Sequence, residues 1–275
     1  MKPAEPNVDA NARGTTLRTL PPKPSAGAKR WLTAALLLAM LWYCARETEA
    51  SFRELADGIP EIGKFIAKMF PPDWDYIRIV VKPMIETVQM AILGTTFGAI
   101  FALPVSFLAA GNVTRRSFLR APARLILNLS RTIPDLLFAA LFAAVFGYGP
   151  LAGMLALAFF SFGILSKWAY EAIETIDDGP LEAMTAVGAG RLQWIQYGVL
   201  PQVTPQFVGF ALYMFEINIR AAAILGIVGA GGIGIYLNRT LGMFRYDQTI
   251  VIILFTLAIV QAIDGVSSAV RRRLL

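Results

Sequence analysis

Glu216, Asn218 and Arg220 stand inside an otherwise apolar block that runs from Phe207 to Val228. Ionisable groups within such a block are costly and face either a helix bundle or a water-filled path. Glu216 and Arg220 are four residues apart, so on a helix they share a face and can pair. One reading is a structural ion pair that fixes helix packing. The other makes Arg220 a positive station for an anion, its planar donors suited to oxygen ligands, with Glu216 weakening the grip enough for release. Asp135, Lys167 and Asp264 are further charges in apolar blocks. Each is expected near a membrane end, where pairing or snorkelling is the default.

Little else in the chain can do chemistry. It contains no histidine, which removes HExxH zinc sites, Ser-His-Asp triads and imidazole proton relays. The single cysteine, Cys44, has no partner for an internal disulfide. No clustered acids and no Ser-Lys pair at helical spacing support an intramembrane enzyme. Gly229-Ala-Gly-Gly-Ile-Gly234 satisfies GxGxxG after the apolar Ile224 to Val228. A dinucleotide site, however, needs a strand before the glycines and an acid at the end of a second strand. The upstream block is too long for a strand, and Asp247 precedes the next apolar run rather than following it. These glycines are expected to turn the chain at the mouth of a span. No GxxxxGK(S/T) loop is present, so the chain is not an ATPase.

A mixed segment at about 171–205 separates two apolar blocks. Pro180 suits the first turn of a helix, and Glu182 favours that helix's positive end. Ala183, Met184, Ala186 and Val187 offer a small, largely apolar face. Gly188 and Gly190 end the helix, Leu192, Trp194 and Ile195 begin another, and Pro201 stops the run before the next block. A short, small-faced helix projecting from a membrane protein suits docking into a partner's groove.

Composition dictates the elements that must carry these residues. Of 275 residues, 56% are hydrophobic and 16% charged, against about 25% charged in a soluble domain; mean hydropathy is +0.57. The apolar residues form blocks at about 31–45, 86–110, 125–147, 150–170, 206–228 and 249–268. An all-α polytopic membrane protein with about six transmembrane helices is the fold this predicts. Arg115, Arg116, Arg120, Arg124 and Arg131 lie in a stretch without acids, and Arg271-Arg272-Arg273 close the chain. Both mark the cytoplasmic side, so the net charge of +6 points to the membrane rather than to nucleic acid. Residues 1–30 read as a flexible cytoplasmic tail. Residues 31–82 read as a first span followed by an extracytoplasmic amphipathic segment. Pro60 and Pro71-Pro72 predict two short helices in that segment, lying on the membrane surface or packed as a small loop domain. Residues 83–275 form the transmembrane domain, with both termini of the chain inside.

At these residues the chain resembles a known family. Glu182-Ala183, Gly188 and Leu200-Pro201 look like the EAA loop of permease subunits of binding-protein-dependent ABC importers. Two positions depart from the general pattern: Met184 stands where a second Ala is usual, and Gly198 where Ile is usual. The resemblance implies that Glu182, Ala183, Met184, Gly188, Leu200 and Pro201 belong to a coupling element seated in a cleft of a cytoplasmic ATPase. Arg131-Thr-Ile-Pro-Asp135, Gly147-Tyr-Gly-Pro150, Tyr197-Gly-Val-Leu-Pro-Gln202, the run from Leu212 to Arg220 and Gly229 to Gly234 are similar to the phosphonate-type permeases. That similarity covers roughly 80–270. It implies type I ABC importer architecture in the bacterial cytoplasmic (inner) membrane, with a second permease copy as a homodimer. It also implies two ATP-binding subunits and an extracytoplasmic substrate-binding protein. ATP and Mg would sit on the partner subunits, with no cofactor on this chain. The cargo would be phosphonate, phosphite, hypophosphite or a phosphate ester, and Glu216, Asn218 and Arg220 are the path candidates. The rival is an ion-gradient-driven secondary transporter of a small anion. It would need mid-membrane ion sites and repeated halves, and it leaves the docking loop without a use.

Overall fold

A computed structural model describes residues 27–48 and 51–274, and the described residues form helices and no strand. The expected tail lies, up to residue 26, outside the described residues. The chain divides into two units, one ending at Ile62 and the other running from Gly63. In the first, α1 (Gly27–Glu47) covers the expected first apolar block, with Arg46 in its last turn. The next helix, α2 (Phe52–Ala67), runs through Pro60, so the two short helices expected on either side of that proline are one.

The larger unit contains α3 (Ile77–Ala109), α4 (Ser117–Thr132), α5 (Asp135–Phe146), α6 (Pro150–Glu174), α7 (Asp178–Ala186), α8 (Arg191–Gln193), α9 (Leu200–Leu225), α10 (Ile233–Gly242) and α11 (Tyr246–Leu274). Among the described residues, four stretches are long and apolar enough to cross a membrane: Trp74–Ala109, Pro150–Glu174, Arg191–Val228 and Tyr246–Arg273. The pair α4 and α5 adds a fifth if it is one span, and α1 falls short of this measure. Residues 74–82, expected in the extracytoplasmic segment, are continuous with the helix of the second expected span. They are held there by α11: the Asp73 amide donates to the Asp247 carbonyl at 3.2 Å, and Gln248 Nε2 donates to Asp73 Oδ2 at 3.0 Å.

The block expected as a continuous span at 125–147 is broken, α4 and α5 meeting at 89°. Pro134 supplies the reason, because a proline pushes the residue before it out of the helical region. Ile133 is extended at φ −87°, ψ 120°, and Pro134 itself at ψ 146°.

Close backbone contact builds the core. A Cβ added at Gly94 or Gly98 of α3 would stand 2.6 Å from Leu157 Cβ or 2.5 Å from Ser161 Cβ of α6. Small residues one turn apart let two membrane helices approach this far. Asn218 of α9 closes the crossing, its Nδ2 donating to Thr95 Oγ1 at 2.7 Å and to Ser161 Oγ at 2.6 Å.

Candidate functional site

The segment between α6 and α9 is a short helix with a defined beginning and end. Asp177 caps α7, its Oδ1 accepting from the Gly179 amide at 3.0 Å. At the other end Gly188 takes φ +73°. Its amide donates to the Thr185 carbonyl at 3.0 Å, and the Ala189 amide donates to the Met184 carbonyl at 3.0 Å. These two bonds are a Schellman ending, whose left-handed residue favours glycine. Gly188 therefore shapes the loop whatever it touches outside.

Leu181 is the residue of α7 that faces inward, buried in a cluster with Leu127, Tyr170, Ile173, Val199 and Val203. Glu182, Ala183, Ala186 and Val187 are exposed, Val187 at 78%, so the small apolar face anticipated from the sequence is on display. Met184 is half-buried. It lies over Gly198, where an added Cβ would be 3.7 Å from Met184 Cγ and 3.0 Å from Leu181 Cδ2. Leu200 is half-buried and Pro201 exposed in the first turn of α9. Pro201 thus starts that helix rather than stopping the one before it, a role its fixed φ suits.

Several side chains outside the motif tie α7 to the bundle. After α8 comes a wide helical turn, Trp194–Val199, of the i→i+5 kind that often marks functional sites. Trp194 Nε1 donates to the Leu181 carbonyl at 3.2 Å. Gln202 grips the start of α7, with Oε1 accepting from the Asp177 amide at 3.0 Å and Nε2 donating to the Asp177 carbonyl at 3.3 Å. Arg191 Nη2 donates to the Val113 carbonyl at 3.0 Å. Glu174 accepts from the Gly111 amide at 2.6 Å and pairs with Arg124. Between residues 111–116 and α7 opens a cleft of about 890 Å³ whose walls include Arg115, Arg116, Arg191, Asp178 and Glu182. Gln202 and Trp194 carry no signal in one sequence beyond lying within a family-like run.

The three polar residues of α9 separate into two environments. Asn218 is fully buried in the helix crossing, and its Oδ1 makes no hydrogen bond. Glu216 and Arg220 pair as their spacing predicts, Nη1 to Oε1 at 3.0 Å. The Glu216 side chain is 11% exposed and that of Arg220 48%. A second cation, Arg271, stands 3.7 Å from Glu216 Oε2 and lies over the Tyr213 ring. Lys167 pairs with Glu171 at 2.7 Å. Asp264 is half-buried on α11.

The GxGxxG run is a turn that packs against another glycine motif. Gly229, Gly231 and Gly232 have φ of +82°, +89° and +71°. The Gly149 amide donates to the Gly229 carbonyl at 3.0 Å, and a Cβ added at Gly153 would lie 2.3 Å from the Ala230 carbonyl oxygen. Thr87 Oγ1 accepts from the Ile233 amide at 2.8 Å. The glycines close the junction between α9 and α10, as the sequence led one to expect.

A bundle of membrane-length helices that displays a short, capped and largely exposed helix at the base of one of them has the build of a membrane permease. A family model described as "binding-protein-dependent transport system inner membrane component" matches residues 94–275, and the chain belongs to that family. It is 40% identical over 218 residues to the phosphite transport system permease protein PtxC of Stutzerimonas stutzeri, covering 79% of each chain. It is also 40% identical over 221 residues to the phosphate-import permease protein PhnE of Mycolicibacterium smegmatis, covering 80% of this chain and 42% of that one. Among solved structures the fold matches the MetNI methionine ABC transporter, with TM-score 0.63 at 23% identity over 71% of this chain and 95% of that one. A bacterial ABC transporter for alginate gives TM-score 0.56 at 18% identity, over 90% and 96% of the two chains. The chain is thus a multi-pass membrane permease of binding-protein-dependent import. Its family works with ATP-binding subunits and a substrate-binding protein, which disfavours the ion-gradient reading.

Proposed function

We propose that this chain forms the membrane path of an ATP-driven importer for phosphonate, phosphite or a related phosphorus oxyanion. The observation that carries the reading is α7, which exposes Glu182, Ala183 and Val187 while its base is hydrogen-bonded to α9 through Gln202. Glu182, Ala183, Met184, Gly188, Leu200 and Pro201 make up the docking element of each permease. Two copies enclose the path, and two ATP-binding subunits, carrying the ATP and Mg, seat the α7 helices. Closure of the ATPases pulls α7 and α9 as one body and switches the path between its outer and inner openings. An extracytoplasmic binding protein delivers the cargo. The permease sits in the bacterial inner membrane with both termini inside, residues 1–30 forming a cytoplasmic tail and 83–275 the transmembrane domain. Support for the cargo class comes from the phosphite and phosphate-import relatives.

Reconstitution of the permease with its ATPase and binding protein in proteoliposomes tests this. ATP-dependent uptake of labelled phosphite or methylphosphonate is expected. Uptake driven by an ion gradient without ATP, or ATP-dependent uptake of neither compound, contradicts it.

A further inference from the structure

We propose that the Met243-Phe244 turn is an anchor for the extracytoplasmic binding protein, fitting an apolar pocket edged by carboxylates on that partner. The proposal rests on the importer reading above. The last helix, α11, runs 29 residues from Tyr246 to Leu274 and ends in Arg271, Arg272 and Arg273. At 1.5 Å per residue that is about 42 Å, more than the hydrocarbon thickness of about 30 Å. With the arginine end in the cytoplasm, the turn before Tyr246 stands at the outer surface, where a binding protein must arrive. Phe244 is 75% exposed and Met243 57%. Arg245, next in the chain, and Arg239, about one turn earlier, are exposed too.

The backbone holds this turn in a strained form. Helix α10 closes on a Schellman ending, in which the Phe244 amide donates to the Leu241 carbonyl at 3.1 Å and the Arg245 amide to the Thr240 carbonyl at 2.9 Å. Phe244 holds the left-handed place of that motif at φ 57°, and among the described residues no other non-glycine residue has a positive φ. Glycine is the residue that this place favours, because a Cβ there crowds the following carbonyl oxygen. The turn is also pinned from beneath. The buried Thr249 hydroxyl lies 3.0 Å from both the Arg245 carbonyl and the buried Thr240 hydroxyl, and Asp73 braces Asp247 and Gln248. Burial does not offset the strain, since the Phe244 ring stands edge-on to Tyr246, centroids 6.2 Å apart, and is otherwise largely open. A side chain that merely dips into lipid needs neither a strained backbone nor a fixed one. A strained, pinned and exposed aromatic is pre-organised for a partner's pocket, and aromatic and arginine side chains are the usual anchors of such interfaces.

The test uses the full permease–ATPase complex in proteoliposomes, with its binding protein loaded with phosphite or methylphosphonate. Phe244→Gly relieves the backbone and removes the ring, so Tm should equal or exceed the wild-type value. The binding-protein concentration for half-maximal stimulation of ATP hydrolysis should rise roughly tenfold or more, the loss typical of an interface anchor. Arg245→Glu should raise it too, by placing a like charge against the partner's carboxylates. Phe244→Tyr should stay close to wild type, and hydrolysis without binding protein should be unchanged in all three. A wild-type half-maximal concentration in Phe244→Gly overturns this proposal alone, as does a Tm several degrees below wild type, which marks the ring as packing for the fold. A photoreactive benzoylphenylalanine at position 244 gives a second readout. Cross-linking to the binding protein is expected, and cross-linking to lipid alone overturns the proposal. A binding protein that fails to stimulate the wild-type complex overturns the importer reading, and this proposal with it.

Discussion

A side chain at Gly198 would meet two residues of α7: a Cβ built there would stand 3.0 Å from Leu181 Cδ2 and 3.7 Å from Met184 Cγ. Met184 and Gly198 are the two positions at which the docking segment departs from the family pattern. A larger residue at 184 and the missing side chain at 198 therefore face one another across a junction that Leu181 shares, and we read them as an exchange of volume. Gly198→Ile alone should overpack the junction and destabilise the permease by about 1–3 kcal/mol. Adding Met184→Ala should recover much of that loss. Thermal unfolding of the four purified forms gives the coupling energy, expected to exceed about 0.5 kcal/mol for residues in contact. Additive effects contradict the exchange.

Gln202 joins α9 to the start of α7 through two hydrogen bonds with the Asp177 backbone, each worth roughly 0.5–1.5 kcal/mol; the proposed coupling runs through them. Gln202→Ala leaves the exposed face of α7 intact, so ATPase retention should be unchanged. Cargo imported per ATP hydrolysed should fall several-fold. An unchanged transport ratio would show that the link runs elsewhere.

Asn218 and Arg220 are two residues apart and should behave oppositely. Asn218→Ala removes two buried hydrogen bonds and opens a gap at the crossing of three helices, which lowers Tm by several degrees. Its effect on the cargo concentration for half-maximal uptake should be slight. Arg220→Gln should keep Tm within about two degrees, because Arg271 still faces the buried Glu216 carboxylate and a glutamine amide can still donate to it, while uptake falls. Full uptake in Arg220→Gln at normal protein levels removes that residue from the path.

At Gly234 a Cβ would lie 2.1 Å from the Ala223 carbonyl oxygen. Gly234→Ala should therefore shift the α9–α10 junction and lower the yield of folded protein in detergent. A dinucleotide site would behave differently. Millimolar nicotinamide dinucleotide should leave the Tm of the wild-type chain unchanged, and a clear stabilisation would reinstate that reading.

Much of this was legible in one dimension. Hydropathy located the helical blocks, Pro180 and Gly188 bounded α7 to within a residue or two, and the spacing of Glu216 and Arg220 foretold their contact. What escaped was geometry that hydropathy does not sense. The apolar run at 125–147 continues across Ile133-Pro134, so hydropathy did not register the right-angle break at Pro134 that sets the end of α4 against the middle of α6. Pro60, expected to break or kink its helix, is carried inside α2. Asn218 shares its block with an ion pair, yet only the packing of α3 against α6 at Gly94 and Gly98 explains why it alone is fully buried. Gln202 acts through the backbone of Asp177, a contact 25 residues away along the chain with no side-chain complementarity to betray it.

Docking of a cytoplasmic ATPase on α7 is the central claim, and Glu182 tests it more cleanly than Gly188. Replacing Gly188 would strain a left-handed turn, whereas Glu182 is exposed and makes no ion pair among the described residues. The tagged chain should be purified from its native membranes in mild detergent and the co-purifying proteins identified by mass spectrometry. A P-loop ATPase held by the wild type and lost with Glu182→Lys is the predicted result. An ATPase retained equally by both, or absent under conditions that preserve related complexes, would contradict it.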